Sequence, residues 1–164
     1  MKIVVLVKEV PDTYGDRKLN LETGIADRAA SDTVLDEIGE RALEAALSFA
    51  DANDGTEVVV DEALLGADLG LTAEVLAKAI TRAGFDLVIA GNASTDGSGG
   101  AIPAMLAEHL RVPGLTGLSE VAISAAGVSG VRPVDGGLQK VSADLPAVIS
   151  ITEALPEARF ANFK

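Results

Sequence analysis

The sequence has no cysteine and no tryptophan, only one histidine, and aromatic residues make up 3% of the chain. The absence of cysteine excludes disulfide bonds, thiolate catalysis and cysteine-ligated metal sites. A single histidine, His109, cannot form a metal cluster, and no serine accompanies it in a recognisable nucleophile pattern. We therefore expect His109 to be a packing or surface residue, and we expect no metal site.

Basic residues and long apolar runs are also scarce. Thirteen lysines and arginines stand against 25 acidic residues, which gives a formal net charge of −12. Without a basic run, nucleic acid and anionic membranes are poor partners. The first apolar run, residues 3–7, is too short for a secretory signal or a membrane span. These features predict a cytoplasmic chain without a nucleic-acid partner and without membrane insertion.

The 164 residues are 48% apolar, mostly Ala, Val, Leu and Ile, which is enough for one domain with a sizeable core. Short β-branched runs alternate with segments of helical periodicity, a pattern typical of α/β folds. It predicts an open, mostly parallel, Rossmann-like sheet with helices on both faces, and a small antiparallel extension near the C-terminus. The predicted parallel strands are 2–7, 57–60, 87–90 and 147–151. The first predicted helix begins near residue 31 and ends near 53–55, and two more cover 73–83 and 102–110. The predicted antiparallel runs are 120–124, 128–134 and 138–142.

Residues 86–110, DLVIAGNASTDGSGGAIPAMLAEHL, are the most informative segment: a buried strand, a glycine-rich loop and a helix. Ligands of parallel sheets bind at the carboxyl ends of strands, and a helix N-terminus attracts anions. The loop matches neither common phosphate fingerprint and brings no lysine, so a monophosphate or diphosphate fits better than a triphosphate with its metal. The alternative is a glycine-rich connection that binds nothing.

Carboxylates are plentiful but scattered, and they do not converge into a proton shuttle, a nucleophile or a metal cage. Asp36 and Glu37 begin the first long helix, where helix capping and a role at the crevice both remain open. Such sparse chemistry predicts a module that holds a nucleotide, or that lets a bound cofactor do the chemistry.

The segment that follows the strand at 57–60 is unusual for an α/β fold. A βαβ unit needs a helix here, but DEALLGADLGLTAEV supplies only a short piece interrupted by glycine before the next helix. Either the fold is shortened at this point, or residues are missing between Val60 and Asp61.

Five separated segments resemble the small (beta) subunit of electron-transfer flavoprotein, and together they cover nearly the whole chain. They are MKIVVLVKEVPDT, ASDTVLDEIGERALEAAL, AGNASTDGSGGAIPAMLAEHLRVP, RPVDGGLQKV and LPAVISITEALPEARFANFK. The resemblance implies a subunit that buries an AMP and has no catalytic residues of its own. It also implies a heterodimer with an alpha subunit, which holds most of one redox-active FAD. Such complexes pass electrons from flavin dehydrogenases, typically acyl-CoA dehydrogenases, to a quinone reductase or another acceptor.

The resemblance also assigns site residues. Thr13 or Tyr14, together with Ile38, correspond to positions that approach the flavin. Phe163 corresponds to the apolar anchor of a loop that docks the dehydrogenase. The implied nucleotide-binding residues are Leu6, Val7, Asp36, Glu37, Ile38, Gly39, Asn92, Ser94, Thr95, Asp96, Gly97, Ser98, Gly99 and Gly100. The implied partner-docking residues are Arg159, Phe160, Phe163 and Lys164.

On this reading residues 1–151 form the nucleotide-binding domain, and residues 152–164 begin the partner-recognition loop and C-terminal arm. Relatives would carry about 30 further residues after Val60, the size of one βα repeat. The sequence leaves open whether AMP or a second FAD occupies the site. A second function also stays open: an adenine-nucleotide-binding protein or ATP hydrolase similar to universal stress proteins, although their glycine–serine pattern before the last strand is absent here.

Overall fold

The computed structural model describes residues 1–16, 18–25, 27, 30–59 and 68–159. In this part of the chain the helices are α1 (Glu37–Ala52), α2 (Leu69–Ala83) and α3 (Ile102–Leu110). The strands are β1 (Lys2–Leu6), β2 (Glu9–Pro11), β3 (Thr33–Leu35), β4 (Glu57–Val59), β5 (Leu87–Gly91), β6 (Gly114–Leu118), β7 (Glu120–Ile123), β8 (Gly127–Val134), β9 (Gly137–Asp144) and β10 (Ala147–Ile151).

The central sheet has the strand order β4-β1-β5-β10-β6 among the described strands, and every pair in it is parallel. From β1 the chain passes through α1 to β4 on one side, and α2 then leads to β5 on the other side of β1. The strand order therefore reverses between β1 and β5. In open parallel sheets such a reversal leaves a crevice at the carboxyl ends of the two strands.

Alternate residues of the strands pack on opposite faces of this sheet, as the two-residue period of a strand requires. On one face Ile89 and Ile149 pack with Ala42 and Ala46 of α1 and with the β7-β8-β9 sheet. On the other face Val88 and Val148 pack with α2 and α3. Helices thus cover both faces, and a small antiparallel sheet lies near the C-terminus, so the predicted α/β architecture is confirmed.

The small sheets follow the turn signals in the sequence. β8 and β9 pair antiparallel through a two-residue turn, Asp135-Gly136, in which Gly136 has a φ of +82°. Only glycine adopts such a backbone without strain. β2 and β3 also pair antiparallel, with Glu9 opposite Leu35 and Pro11 opposite Thr33.

Strand β6 was not anticipated, because Gly114–Leu118 carries two glycines and has low β propensity. Its backbone nevertheless pairs with β10, with Gly114 opposite Val148 and Leu115 opposite Ile149. A Cβ placed on Gly114 would lie 2.8 Å from the Cβ of Ala107 in α3, so glycine permits the close helix–strand packing here. Tertiary pairing, rather than local preference, forms this strand.

Two helix starts also differ from the sequence pattern. The first long helix begins at Glu37, not near residue 31, because residues 33–35 pair with β2 instead. Helix α2 begins at Leu69 rather than at residue 73, since the Asp68 side chain accepts a hydrogen bond from Leu71 N (2.8 Å) and caps it. Within the described ranges, no helix is long and apolar enough to cross a membrane.

Candidate functional site

Three chain segments meet at the crevice between the carboxyl ends of β1 and β5: the end of β1, the start of α1 and the loop after β5. A Cβ on Gly39 would lie 3.6 Å from Val7 Cα, and a Cβ on Gly91 would lie 2.9 Å from Ile38 Cγ2. The α1 N-terminus therefore packs directly on both strand ends, and the absence of a side chain at Gly91 permits the close approach of Ile38. The structure brings together the three segments that the sequence proposed for the nucleotide.

Asp36 ties these segments to one another and is only 3% exposed. Its Oδ1 accepts a hydrogen bond from Ile38 N (3.1 Å), which caps α1. Its Oδ2 accepts two more, from Thr95 N (2.7 Å) and Thr95 Oγ1 (2.9 Å) in the loop after β5. Its own amide donates to the carbonyl of Lys8 (2.9 Å). One carboxylate thus fixes the position of the loop relative to the helix, and helix capping is part of its role.

The loop that follows β5 is a compact turn with exposed backbone. Ser98 N donates to the carbonyl of Ser94 (2.9 Å), and Ser98 and Gly100 have φ values of +47° and +61°. Residues 97–100 are exposed. Within the described part of the chain, no side-chain hydrogen bond caps α3, and Pro103 lies in its first turn. Exposed glycine backbone next to an uncapped helix N-terminus is suited to an anion.

The side chain of Asn92 provides an observation that tests whether the crevice suits a bound ligand. Its amide donates to the carbonyl of Ile151 (2.8 Å), which holds the residue at the carboxyl end of the sheet. Its side-chain Oδ1 is buried and has no hydrogen-bond partner in the part of the chain that the structure describes. Buried carbonyl oxygens are normally satisfied, so this atom is suited to a donor on a bound molecule, such as a ribose hydroxyl or an exocyclic amine.

Lys8 is a crevice residue that the sequence interpretation missed. Its Nζ lies 2.7 Å from Asp96 Oδ1 and 3.2 Å from Ser94 Oγ, so it crosses from the end of β1 to the loop after β5. The loop itself has no lysine, but the fold supplies one from another strand. The available signal was a lysine placed two residues beyond the last residue of β1.

Comparison with known proteins agrees with this architecture. Residues 58–162 match the electron transfer flavoprotein domain family. The chain is 42% identical to the electron transfer flavoprotein subunit beta of Mycobacterium tuberculosis and 40% identical to that of Mycobacterium leprae, in each case over 99% of this chain and 73% of the relative. It is 29% identical to the caffeyl-CoA reductase-Etf complex subunit CarD of Acetobacterium woodii, over 98% of this chain and 71% of the relative.

The chain belongs to the electron transfer flavoprotein beta-subunit family. This confirms the family inferred from the five sequence segments. The beta-subunit name implies an alpha-subunit partner and an association with flavin.

Relatives in this beta-subunit family carry residues that this chain lacks inside the matched region. The alignment with the Mycobacterium tuberculosis protein runs over 194 positions, whereas this chain has 164 residues, so at least 30 positions have no counterpart here. The described crevice segments are formed without them.

The beta-subunit residues assigned to partner docking lie beyond β10. Arg159 does not reach outward: its guanidinium contacts Glu44 Oε1 (2.8 Å) and Asp51 Oδ2 (2.7 Å) on α1. This contact lowers the pKa of Glu44 from 4.5 to about 2, chiefly through the hydrogen bond from Arg159. Phe160, Phe163 and Lys164 lie outside the described residues.

The remaining sequence-derived positions differ in exposure. Leu6 is half-buried at the end of β1, Glu37 is exposed in the first turn of α1, and Tyr14 is 99% exposed beyond β2. His109 is an exposed residue in the last turn of α3, where a basic group suits the helix dipole. Among the described residues, no group of three or more histidine or acidic side chains could hold a metal ion.

Proposed function

We propose that this beta subunit binds AMP in the crevice between β1 and β5. The observation that carries the proposal is the buried Oδ1 of Asn92, which has no hydrogen-bond partner among the described residues and lies near the exposed loop of residues 97–100. A nucleotide there would place its phosphate against the glycine backbone and the start of α3. The donor set has one lysine and no metal-ligating cluster among the described residues, which favours a monophosphate over a metal-bound triphosphate.

We further propose that the chain helps its alpha subunit to hold one FAD, whose isoalloxazine ring carries the electrons when bound. Thr13 or Tyr14, together with Ile38, supply the proposed contacts across the subunit boundary. Tyr14 supports this because its side chain is fully exposed in the isolated chain, and aromatic side chains are often buried at interfaces.

We propose that flavin dehydrogenases of the acyl-CoA dehydrogenase type donate electrons to the complex and that a quinone reductase accepts them. A relative at 29% identity is named as a subunit of a caffeyl-CoA reductase complex, which supports a partner that acts on a CoA thioester. The proposed docking residues are Arg159, Phe160, Phe163 and Lys164. In this proposal the chain is an electron-carrier subunit in the cytoplasm, without catalytic residues of its own.

The test is to purify the full chain with its alpha subunit, release the bound nucleotides and identify them by mass spectrometry. We expect AMP and FAD in equal amounts. Two equivalents of FAD without AMP would assign the crevice to a second flavin, and ATP would favour the hydrolase alternative. Absence of any nucleotide would refute the proposed site.

Two matched glycine substitutions test whether the loop after β5 is the part of the chain that retains the nucleotide. A Cβ on Gly99 would lie 3.3 Å from Leu69 Cδ2, whereas nothing lies within 4 Å of a Cβ on Gly137. Gly99→Val should abolish AMP retention and weaken assembly with the alpha subunit, because the added side chain crowds the loop against α2. Gly137→Val should leave both unchanged. Normal AMP content in Gly99→Val would contradict the loop assignment.

A further inference from the structure

The Lys8 side chain bridges the crevice, and the residues assigned from the family resemblance do not include this lysine. Its side chain is 41% exposed, while that of its ion-pair partner Asp96 is only 13% exposed. The Nζ also lies 3.8 Å from the position that a Cβ on Gly97 would take. The ammonium group is therefore held beside Gly97 at the start of the exposed part of the loop, while the Lys8 side chain stays partly open to solvent.

The charge of the crevice makes this lysine important for an anionic ligand. The crevice segments, residues 6–8, 36–39 and 92–100, contain three carboxylates and one basic residue, Lys8. A phosphate carries up to two negative charges, so three carboxylates without a lysine would oppose its binding. Asp36 is already engaged by the α1 cap and by Thr95. Asp96 is the carboxylate that competes for the lysine.

We propose that Lys8 selects a phosphorylated nucleotide by transferring its hydrogen bond from Asp96 to the ligand phosphate. This inference rests on the proposed nucleotide site and adds to it the residue that distinguishes a nucleotide from an uncharged nucleoside. Both Ser94 and Asp96 lie on the loop that would contact the phosphate, so a small rotation of the flexible lysine stem suffices for the exchange. The Asp96 carboxylate keeps the ammonium group in place and lowers the affinity, because its ion pair must be broken.

The first test compares AMP with adenosine on the complex of the full chain with its alpha subunit, depleted of bound nucleotide and titrated by calorimetry. Lys8→Gln should weaken AMP binding about tenfold or more, the effect of one lost charge-assisted hydrogen bond, and leave adenosine binding nearly unchanged. Lys8→Arg keeps the charge and should retain most of the preference for AMP.

A matched control removes one lysine charge away from the crevice. Lys78 is an exposed lysine of α2 that pairs with Glu74 (2.6 Å) one helical turn away. Lys78→Gln changes the net charge by the same amount as Lys8→Gln, so a general charge effect on AMP binding would be equal in the two variants. We expect Lys78→Gln to bind AMP like the unmodified chain.

The second test uses a variant that should bind AMP more tightly rather than more weakly. Asp96→Asn removes the competing charge, so it should raise AMP affinity by several-fold with little effect on adenosine. A purely structural role for the Lys8–Asp96 pair predicts instead that both variants lose AMP and adenosine alike. That result, or unchanged AMP binding in Lys8→Gln, would overturn the proposal. Failure of the unmodified complex to bind either compound would overturn the nucleotide site itself.

Discussion

At the scale of single residues, Asp36 combines two contacts that are usually made by separate side chains. Its two oxygens cap α1 and hold Thr95 of the neighbouring loop, and the carboxylate is nearly fully buried. A buried acceptor with three donors is costly to remove, because the donors lose their partner while the site remains partly inaccessible to water.

Asp36→Ala should therefore lower the free energy of unfolding by about 2 kcal/mol, from the lost cap together with the lost loop contacts. The measurement is urea unfolding followed by far-ultraviolet circular dichroism, which suits a chain without tryptophan.

Asp68 is the matched control for Asp36, since its side chain caps α2 through Leu71 N. Asp68→Ala should lower the free energy of unfolding by about 1 kcal/mol, the usual effect of losing a cap alone. Equal losses in the two variants would mean that the contact between Asp36 and the loop adds no stability.

The crevice residues were partly accessible from the sequence. The glycine-rich pattern itself pointed to the loop that contains Ser94, whereas for Asp36 the pattern left helix capping and a crevice role open and the family resemblance assigned it to the site. Lys8 was missed because its partners lie 86 and 88 positions away along the chain. A contact of that kind depends on which strands become neighbours, and local pattern does not encode it.

At the scale of elements, an ion-pair cluster fixes the segment after β10 onto α1. Arg159 contacts Glu44, Ser48 and Asp51, which occupy one side of the helix at successive turns. Arg41 of the same helix donates to the carbonyl of Leu155. These contacts hold on α1 the segment that leads from β10 to the proposed docking residues, of which Arg159 is the first.

The cluster makes stability depend on pH in a defined direction. Arg159 holds the pKa of Glu44 at about 2, below its ordinary 4.5. A carboxylate with a lowered folded-state pKa contributes stability above its ordinary value, and that contribution is lost as the pH falls toward 2. The difference in free energy of unfolding between the unmodified chain and Glu44→Gln should therefore be largest above pH 4.5 and shrink toward pH 2.

Urea titrations at a series of pH values measure this difference. In an Arg159→Gln background the same Glu44→Gln exchange should show a much smaller pH dependence, because the main cause of the lowered pKa is gone while the hydrogen bond from Ser48 still lowers it. A difference that stays constant with pH in the unmodified background would contradict the ion pair.

At the scale of the whole molecule, the crevice forms although at least 30 positions of the relatives are absent. The crevice is built by β1, β5, α1 and the start of α3, and β4 is the outer strand beside β1. If the absent positions follow Val60, as the family resemblance implies, they come directly after β4, which pairs with β1.

Inserting the corresponding segment of the Mycobacterium tuberculosis relative between Val60 and Asp61 should then raise the unfolding midpoint, because a further βα repeat buries additional apolar surface. Scanning calorimetry measures the midpoint. An unchanged or lower midpoint would contradict a place for the absent positions after Val60.

The sequence by itself determined the alternation of buried strands and helices, the phosphate-like loop and the family. These are local or segmental properties, carried by apolar periodicity, glycine placement and the five matching segments. The tertiary structure alone decided that β6 is a strand, that Asp36 binds the loop after β5, and that Lys8 supplies its positive charge. Each of these depends on contacts between residues far apart in the chain, which form only when the strand order brings β1, β5 and β10 side by side.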